Sequence, residues 1–127
     1  MGTRKAQTGI VLTEAQIEHQ ILDYLSKQPN TFSFKNHTRG FYDPVLKRFR
    51  PLSRWTIKGN LDVIICHRGV YASWEIKTTT GRLSEDQRHV MDRIVSAGGI
   101  AKVIRSLDDA ILGFNELKEY ATILHTN

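Results

Sequence analysis

The sequence predicts an α/β fold, a small mixed β-sheet flanked by helices. Three observations carry that expectation. Two apolar runs, 61–66 and 71–77, stand on either side of the tight turn His67-Arg68-Gly69-Val70, as an antiparallel strand pair does. Two amphipathic stretches open on Thr13-x-x-Gln16 and Ser84-x-x-Gln87, the capping-box signature of a helix start. A further apolar run, 100–104, lies between two helical segments, where a layered fold places a buried strand.

In chain order the elements read α-β-β-β-α-β-α. The first helix opens at Thr13 and runs to about residue 28, where Pro29-Asn30 stops it. Ile17, Ile21 and Leu25 recur at spacings of four and form its buried stripe. Residues 31–36 form a short strand, and a long basic excursion follows over about residues 37–58. The two strands around Arg68-Gly69 come next. Ser84 opens the second long helix, with Glu85 and Asp86 complementing its dipole, and Gly98-Gly99 close it. After the strand at 100–104, Ser106 with Asp109 caps a last helix carrying Leu107, Ala110, Ile111 and Phe114. At 127 residues and 40% hydrophobic, the chain is expected to form one domain with a single core, residues 1–127 in all and about 13–111 at its centre.

The strand pair carries the chemistry. With Arg68 and Gly69 as a two-residue loop, His67 pairs with Val70, and counting outward places Asp62 directly opposite Glu75. Side chains alternate along a strand, so Glu75 and Lys77 project from one face and Ile76 packs behind them. Opposed residues stand about 4.5–5.5 Å apart at Cβ, and two like charges there destabilise the pair. A divalent cation between the carboxylates removes that penalty, and two acids and a lysine converging on it point to a hydrolytic site. The plainer alternative is a surface Glu/Lys pair with Asp62 in a strand-leading turn, which a one-residue slip of register would produce.

Two helix residues are further candidates. At 100° per residue Glu14 lies within about 20° of Ile21 and Glu18 about 60° from it, so Glu14 heads the apolar stripe and points inward. Its alternative role is that of a first-turn acid complementing the helix dipole. Gln87 shares a face with Val90, Met91 and Ile94 and also looks inward. Capping of Ser84 and lining of a site are competing roles for that one side chain.

Gly59-Asn60-Leu61-Asp62, then Trp74-Glu75-Ile76-Lys77-Thr78, then Gly81-Arg82-Leu83-Ser84-Glu85-Asp86-Gln87 and Ala97-Gly98-Gly99 resemble the viral-type replication-repair nuclease (VRR-NUC) domain. That domain belongs to the PD-(D/E)xK restriction-endonuclease-like superfamily. The resemblance runs from about residue 13 to 111, with a poor match over 37–58 and with Leu61 where the family often has a proline. It implies an α-β-β-β-α-β restriction-endonuclease-like core and metal-assisted hydrolysis of DNA. Asp62, Glu75 and the Ile76 carbonyl would hold Mg²⁺ or Mn²⁺, hard cations that take oxygen ligands. Glu14 matches the family's first-helix glutamate, with Glu18 as the neighbouring choice, and would complete the site directly or through water. Lys77 would orient the attacking water and help deprotonate it, or stabilise the phosphorane; Gln87 matches the family's glutamine. Stand-alone members are often phage-encoded and resemble Holliday-junction resolvases, which implies a homodimer cutting branched or duplex DNA. A non-catalytic DNA-binding module, a general nickase and an interaction protein with an acidic partner are the competing readings.

Composition agrees with a nucleic-acid partner. Between Lys35 and Lys58 stand seven basic residues (Lys35, Arg39, Lys47, Arg48, Arg50, Arg54, Lys58) against one acid, Asp43, a local excess of six in a chain of net charge +5. Phe41, Tyr42, Phe49 and Trp55 are interleaved with them, as suits a surface that grips phosphates and stacks on bases. The alternative is a solvated hairpin whose aromatics fold back onto the core. The single cysteine, Cys66, excludes an internal disulfide and is expected to be a small buried hydrophobe. Histidines at 19, 37, 67, 89 and 125 show no zinc-site spacing. No apolar run reaches transmembrane length and Ile10-Val11-Leu12 is too short for a signal-peptide core, so an intracellular, cytoplasmic protein with no membrane partner is expected, and the resemblance implies a phage or bacterial host cell.

Overall fold

The computed structural model describes residues 11–36, 42–49 and 54–126. Thr13 lies in extended backbone; its hydroxyl accepts from the Gln16 N–H at 3.2 Å, and the Gln16 side chain accepts from the Thr13 N–H at 2.9 Å. This capping box starts α1 (Glu14–Ser26), whose Ile17, Ile21 and Leu25 are buried as their spacing predicts. The chain reverses through Asn30 at φ 56° into β1 (Thr31–Lys35).

Within the basic excursion the structure adds a hairpin that the expected element order lacks. Its strands are β2 (Tyr42–Asp43) and β3 (Arg48–Phe49), a separate two-stranded sheet. The buried Asp43 carboxylate accepts from the N–H groups of Val45 and Leu46 at 2.9 and 3.1 Å, and Lys47 takes φ 55°. This side-chain-to-backbone turn needs only Asp and Pro44, which makes it a local signal that short strands of two residues hide.

β4 (Val63–His67) and β5 (Val70–Ile76) follow the predicted register. Arg68 and Gly69 both take positive φ, 50° and 83°, the two-residue turn whose twist matches the strands it joins. His67 pairs with Val70 and Val63 with Trp74, so Asp62 and Glu75 are the next opposed positions. β6 (Ile100–Ile104) joins β5 in parallel after α2 (Glu85–Ser96), giving a mixed sheet of order β1-β4-β5-β6. Gly98 at φ 96° reverses the chain between them. α3 (Leu107–Leu124) is capped by Ser106, which accepts from the Asp109 N–H at 3.0 Å.

Alternation sorts the sheet into two faces. Val63, Ile65, Val70, Ala72, Trp74, Ile76 and Ile104 pack with α1 and α3 through Ile17, Ile21, Leu25, Phe114 and Leu117. α2 lies over the other face, where Val90 and Ile94 stand near Tyr71. Its cover stops short of β1 and part of β4. Cys66 is exposed there, against the expectation of a buried hydrophobe, because an inner strand buries a side chain only where a layer lies above it. No helix among the described residues is long and apolar enough to cross a membrane.

Candidate active site

The sheet brings Asp62 and Glu75 together at one end of the β4–β5 pair. Asp62 is held from two sides. Its carbonyl accepts from the Asn36 N–H at 2.7 Å, and its Oδ2 accepts from the Ile76 N–H at 2.9 Å, one step past the last regular pair. Gly59 seats the approach to this strand: at φ 86°, a Cβ there would lie 2.5 Å from the Asp86 backbone carbon, so only glycine lets the loop rest on the start of α2.

Glu75 is 3% exposed and sits in the middle of the constellation. Its Oε2 accepts from Gln87 Nε2 at 2.9 Å and lies 3.6 Å from Lys77 Nζ. Its Oε1 is buried and accepts from no donor. Burial first, then the Asp62 carboxylate and its hydrogen bond, push the Glu75 carboxyl up to about 8; Lys77 opposes that shift and Glu14 adds to it. A buried carboxyl with an orphaned oxygen against a second carboxylate fits a hard cation, which would neutralise the pair and satisfy that oxygen. Among the described residues no three Asp, Glu, His or Cys side chains form a ready ligand cluster. The acids brought together at the centre are Asp62 and Glu75, with Glu14 close enough to act on Glu75 electrostatically.

Glu14 corrects one expectation. It is exposed rather than turned into the core, because it occupies the first position of α1, ahead of the first residue of the buried stripe, Ile17. It still stands close enough to Glu75 to raise its pKa, whereas Glu18 is engaged elsewhere, 3.0 Å from Lys35 Nζ. Gln87 corrects another. Its Oε1 accepts from the Ser84 N–H at 2.9 Å while its Nε2 donates to Glu75, so capping and site-lining are simultaneous. This makes a separable prediction. Ser84→Ala should cost about 1 kcal/mol in a urea melt, the usual loss of a cap. Gln87→Ala should cost about 1–2 kcal/mol more, because it also removes a buried hydrogen bond to Glu75. Equal losses would mean that the Glu75 contact carries no weight.

Arg105 is the residue the sequence reading missed. Its guanidinium donates to the carbonyls of Thr78 and Gly81 at 2.6 and 2.8 Å, and its N–H donates to Asp109 Oδ2 at 2.9 Å. The loop so fixed packs against Lys77, whose Cδ would lie 3.2 Å from a Cβ on Gly81. Nothing in the local sequence announces this, since the partners are backbone carbonyls more than twenty residues away.

The basic candidates are spread along the excursion. Lys47 and Arg48 project from the β2–β3 hairpin, and Arg54 lies 4.6 Å from the centroid of the Trp55 ring. Lys58 stands 3.6 Å from Asp86. Arg39, Arg50 and Phe41 lie outside the described residues. Tyr42, Phe49 and Trp55 are 51%, 68% and 77% exposed, so these aromatics do not fold back onto the core.

Three helices around a four-stranded mixed sheet, with an acid pair and a lysine at the end of its central hairpin, define a mixed α/β architecture. A solved structure described as a "VRR_NUC domain protein" shares it, with a TM-score of 0.57 and 17% sequence identity over 84% of this chain and 88% of that one. The chain has the VRR-NUC fold. No protein-family model and no curated protein matches it.

Proposed function

We propose that this chain is a divalent-cation-dependent endodeoxyribonuclease acting on branched or duplex DNA, as a cytoplasmic homodimer. The observation that carries the proposal is the buried Glu75 carboxyl, its Oε1 unpartnered, set against Asp62 and beside Lys77. Asp62, Glu75 and the Ile76 carbonyl would hold Mg²⁺ or Mn²⁺, with Glu14 contributing through water from the rim. The bound cation supplies Lewis-acid stabilisation of a phosphoryl oxygen and a more acidic water. Gln87 fixes Glu75 Oε2 and so leaves Oε1 free to face a ligand. Lys77 orients the attacking water and offsets charge on the phosphorane, and Arg105 holds the loop against which its stem packs. Incubation with Mg²⁺ or Mn²⁺ on supercoiled, linear, flapped and four-way-junction DNA tests this directly. Cleavage of junctions and flaps ahead of linear duplex is the expected result.

One observation favours a second reading, a DNA-binding module without catalysis: no three acids cluster among the described residues. Failure to cut any of the four substrates, with binding intact, would establish it.

Lys47, Arg48 and Arg54 are proposed to contact DNA phosphates, as are Lys35, Arg39, Arg50 and Lys58 of the same basic segment. Neutralising Lys47, Arg48 and Arg54 together should weaken binding to every sequence alike. It should also reduce the slope of log K against log salt by up to about 3, since each phosphate contact contributes roughly 0.9. A slope equal to wild type would place the DNA on another surface.

A further inference from the structure

The half of the sheet that α2 leaves open is aromatic. Phe32 and Phe34 of β1 are 68% and 43% exposed, and Tyr71 of β5 is 43% exposed. The register places Phe32, Cys66 and Tyr71 in one row across three strands, and Phe34, Ile64 and Ser73 in the next. Continuing the count on the same face, the following row holds Asp62 and Glu75. Rows are two residues apart, roughly 7 Å, so the rings lead toward the acid pair in steps of about that size. Phe32 and Phe34, with ring centroids 5.4 Å apart on edge strand β1, form an exposed apolar patch of the kind that marks an interaction surface.

Charge selects among occupants. Lys58 stands in the chain between Ile57 and Asn60, two residues that line the cavity beside Tyr71. Beside Tyr71 opens a cavity of about 350 Å³ lined by Ile57, Asn60, Arg93, Ile94 and Gly99, among others, and its one charged side chain is cationic. A second copy docked on this face by two-fold symmetry would bring two Arg93-lined cavities toward one another, which like charge opposes. A polyanion with flat apolar faces meets both demands at once.

We infer that the open face carrying Phe32, Phe34 and Tyr71 is a stacking platform for the unpaired bases of single-stranded DNA, with Arg93 and Asn60 receiving backbone and base edge in the adjoining cavity. The platform rests on the nucleic-acid reading above but not on cleavage. It deepens that reading, because a strand stacked on these rings runs toward Asp62 and Glu75, as a single-stranded arm of a branched substrate would.

The experiment uses the full chain in EDTA, so that no cutting is involved, with a short labelled oligothymidylate as probe. Base–aromatic stacking implies that Phe32→Ala and Phe34→Ala each weaken binding about tenfold. The salt slope should stay at its wild-type value, because no phosphate contact is lost. Phe32→Trp should bind at least as tightly as wild type, whereas Phe32→Leu, still apolar, should not; this pair keeps the test informative if an alanine variant folds poorly. Cys66 gives a second readout, being the sole cysteine and lying between Phe32 and Tyr71. Its alkylation by iodoacetamide should slow severalfold when oligothymidylate is bound. Phe32→Leu binding at wild-type affinity, or alkylation equally fast with and without oligonucleotide, would overturn the platform. So would a wild-type dimer in light scattering that becomes monomeric on Phe32→Ala with oligothymidylate affinity unchanged, since the face would then belong to a second copy.

Discussion

Glu75→Ala is expected to bring cation-dependent cleavage below detection while leaving a folded protein that still binds DNA. The reason lies in how the side chain is held. Glu75 is buried on the central strand, with Gln87 and Lys77 at one oxygen, no donor at the other and the Asp62 carboxylate close by, so it is positioned at a cost that packing alone does not require. Asp62→Ala should have the same effect on cleavage, with some loss of stability, because its Oδ2 accepts from the Ile76 N–H. Lys77→Ala should slow cleavage on the order of 10²–10³-fold, the usual effect of removing one charge-stabilising donor. Glu14→Ala should fall well short of these, since the side chain stands exposed at the rim and acts through solvent. A gel assay on supercoiled DNA under Mg²⁺ and Mn²⁺ reads all four. A folded Glu75→Ala protein cutting at the wild-type rate would remove the catalytic proposal altogether.

The contrast among these variants follows from what the sequence could and could not convey. The Asp62–Glu75 juxtaposition was legible because it depends only on turn length and on the two-residue period of strands, both local properties. The helix caps were legible for the same reason, as Thr13/Gln16 and Ser84/Gln87 show. Exposure was not. Cys66 lies in an apolar run, yet whether it is covered depends on how far α2 extends over the sheet, a tertiary fact with no local signature. Glu14 follows the helical period of the buried stripe, but periodicity says nothing about where the covering sheet ends. Arg105 was invisible because it serves backbone carbonyls of a distant loop, and carbonyls have no sequence identity. Local pattern thus placed the acid pair and Gln87 beside it, whereas the Arg105 clamp on the Lys77 loop shows only in the tertiary structure.

The metal-free protein should lose stability as pH rises, and this is the sharpest test of the acid pair. The Glu75 carboxyl titrates at about 8 in the folded chain against an ordinary 4.5. The folded state therefore binds this proton more tightly than the unfolded state does. Its stabilising contribution is complete below about pH 4.5 and is lost progressively up to about pH 8. A shift of this direction and size implies a fall in Tm on the order of 10 °C across that window for a domain of this length. Glu75→Gln carries no titrating proton, so its Tm should be close to wild type at pH 5 and higher than wild type above pH 8. A cation binds only after that proton has left, so the Tm gain at a fixed Mg²⁺ concentration should grow with pH. At a hundredfold excess over Kd the gain should reach about 2.7 kcal/mol, again on the order of 10 °C, and should shrink in Glu75→Gln. A plain surface pair between Glu75 and Lys77 predicts the opposite sign, because neutralising Glu75 would then remove a favourable partner. Differential scanning calorimetry of both proteins at pH 5 and above pH 8, with EDTA and with Mg²⁺, separates the two. Glu75→Gln melting below wild type at the higher pH, with no Mg²⁺ gain in either protein, would show that the two carboxylates are not a cation site.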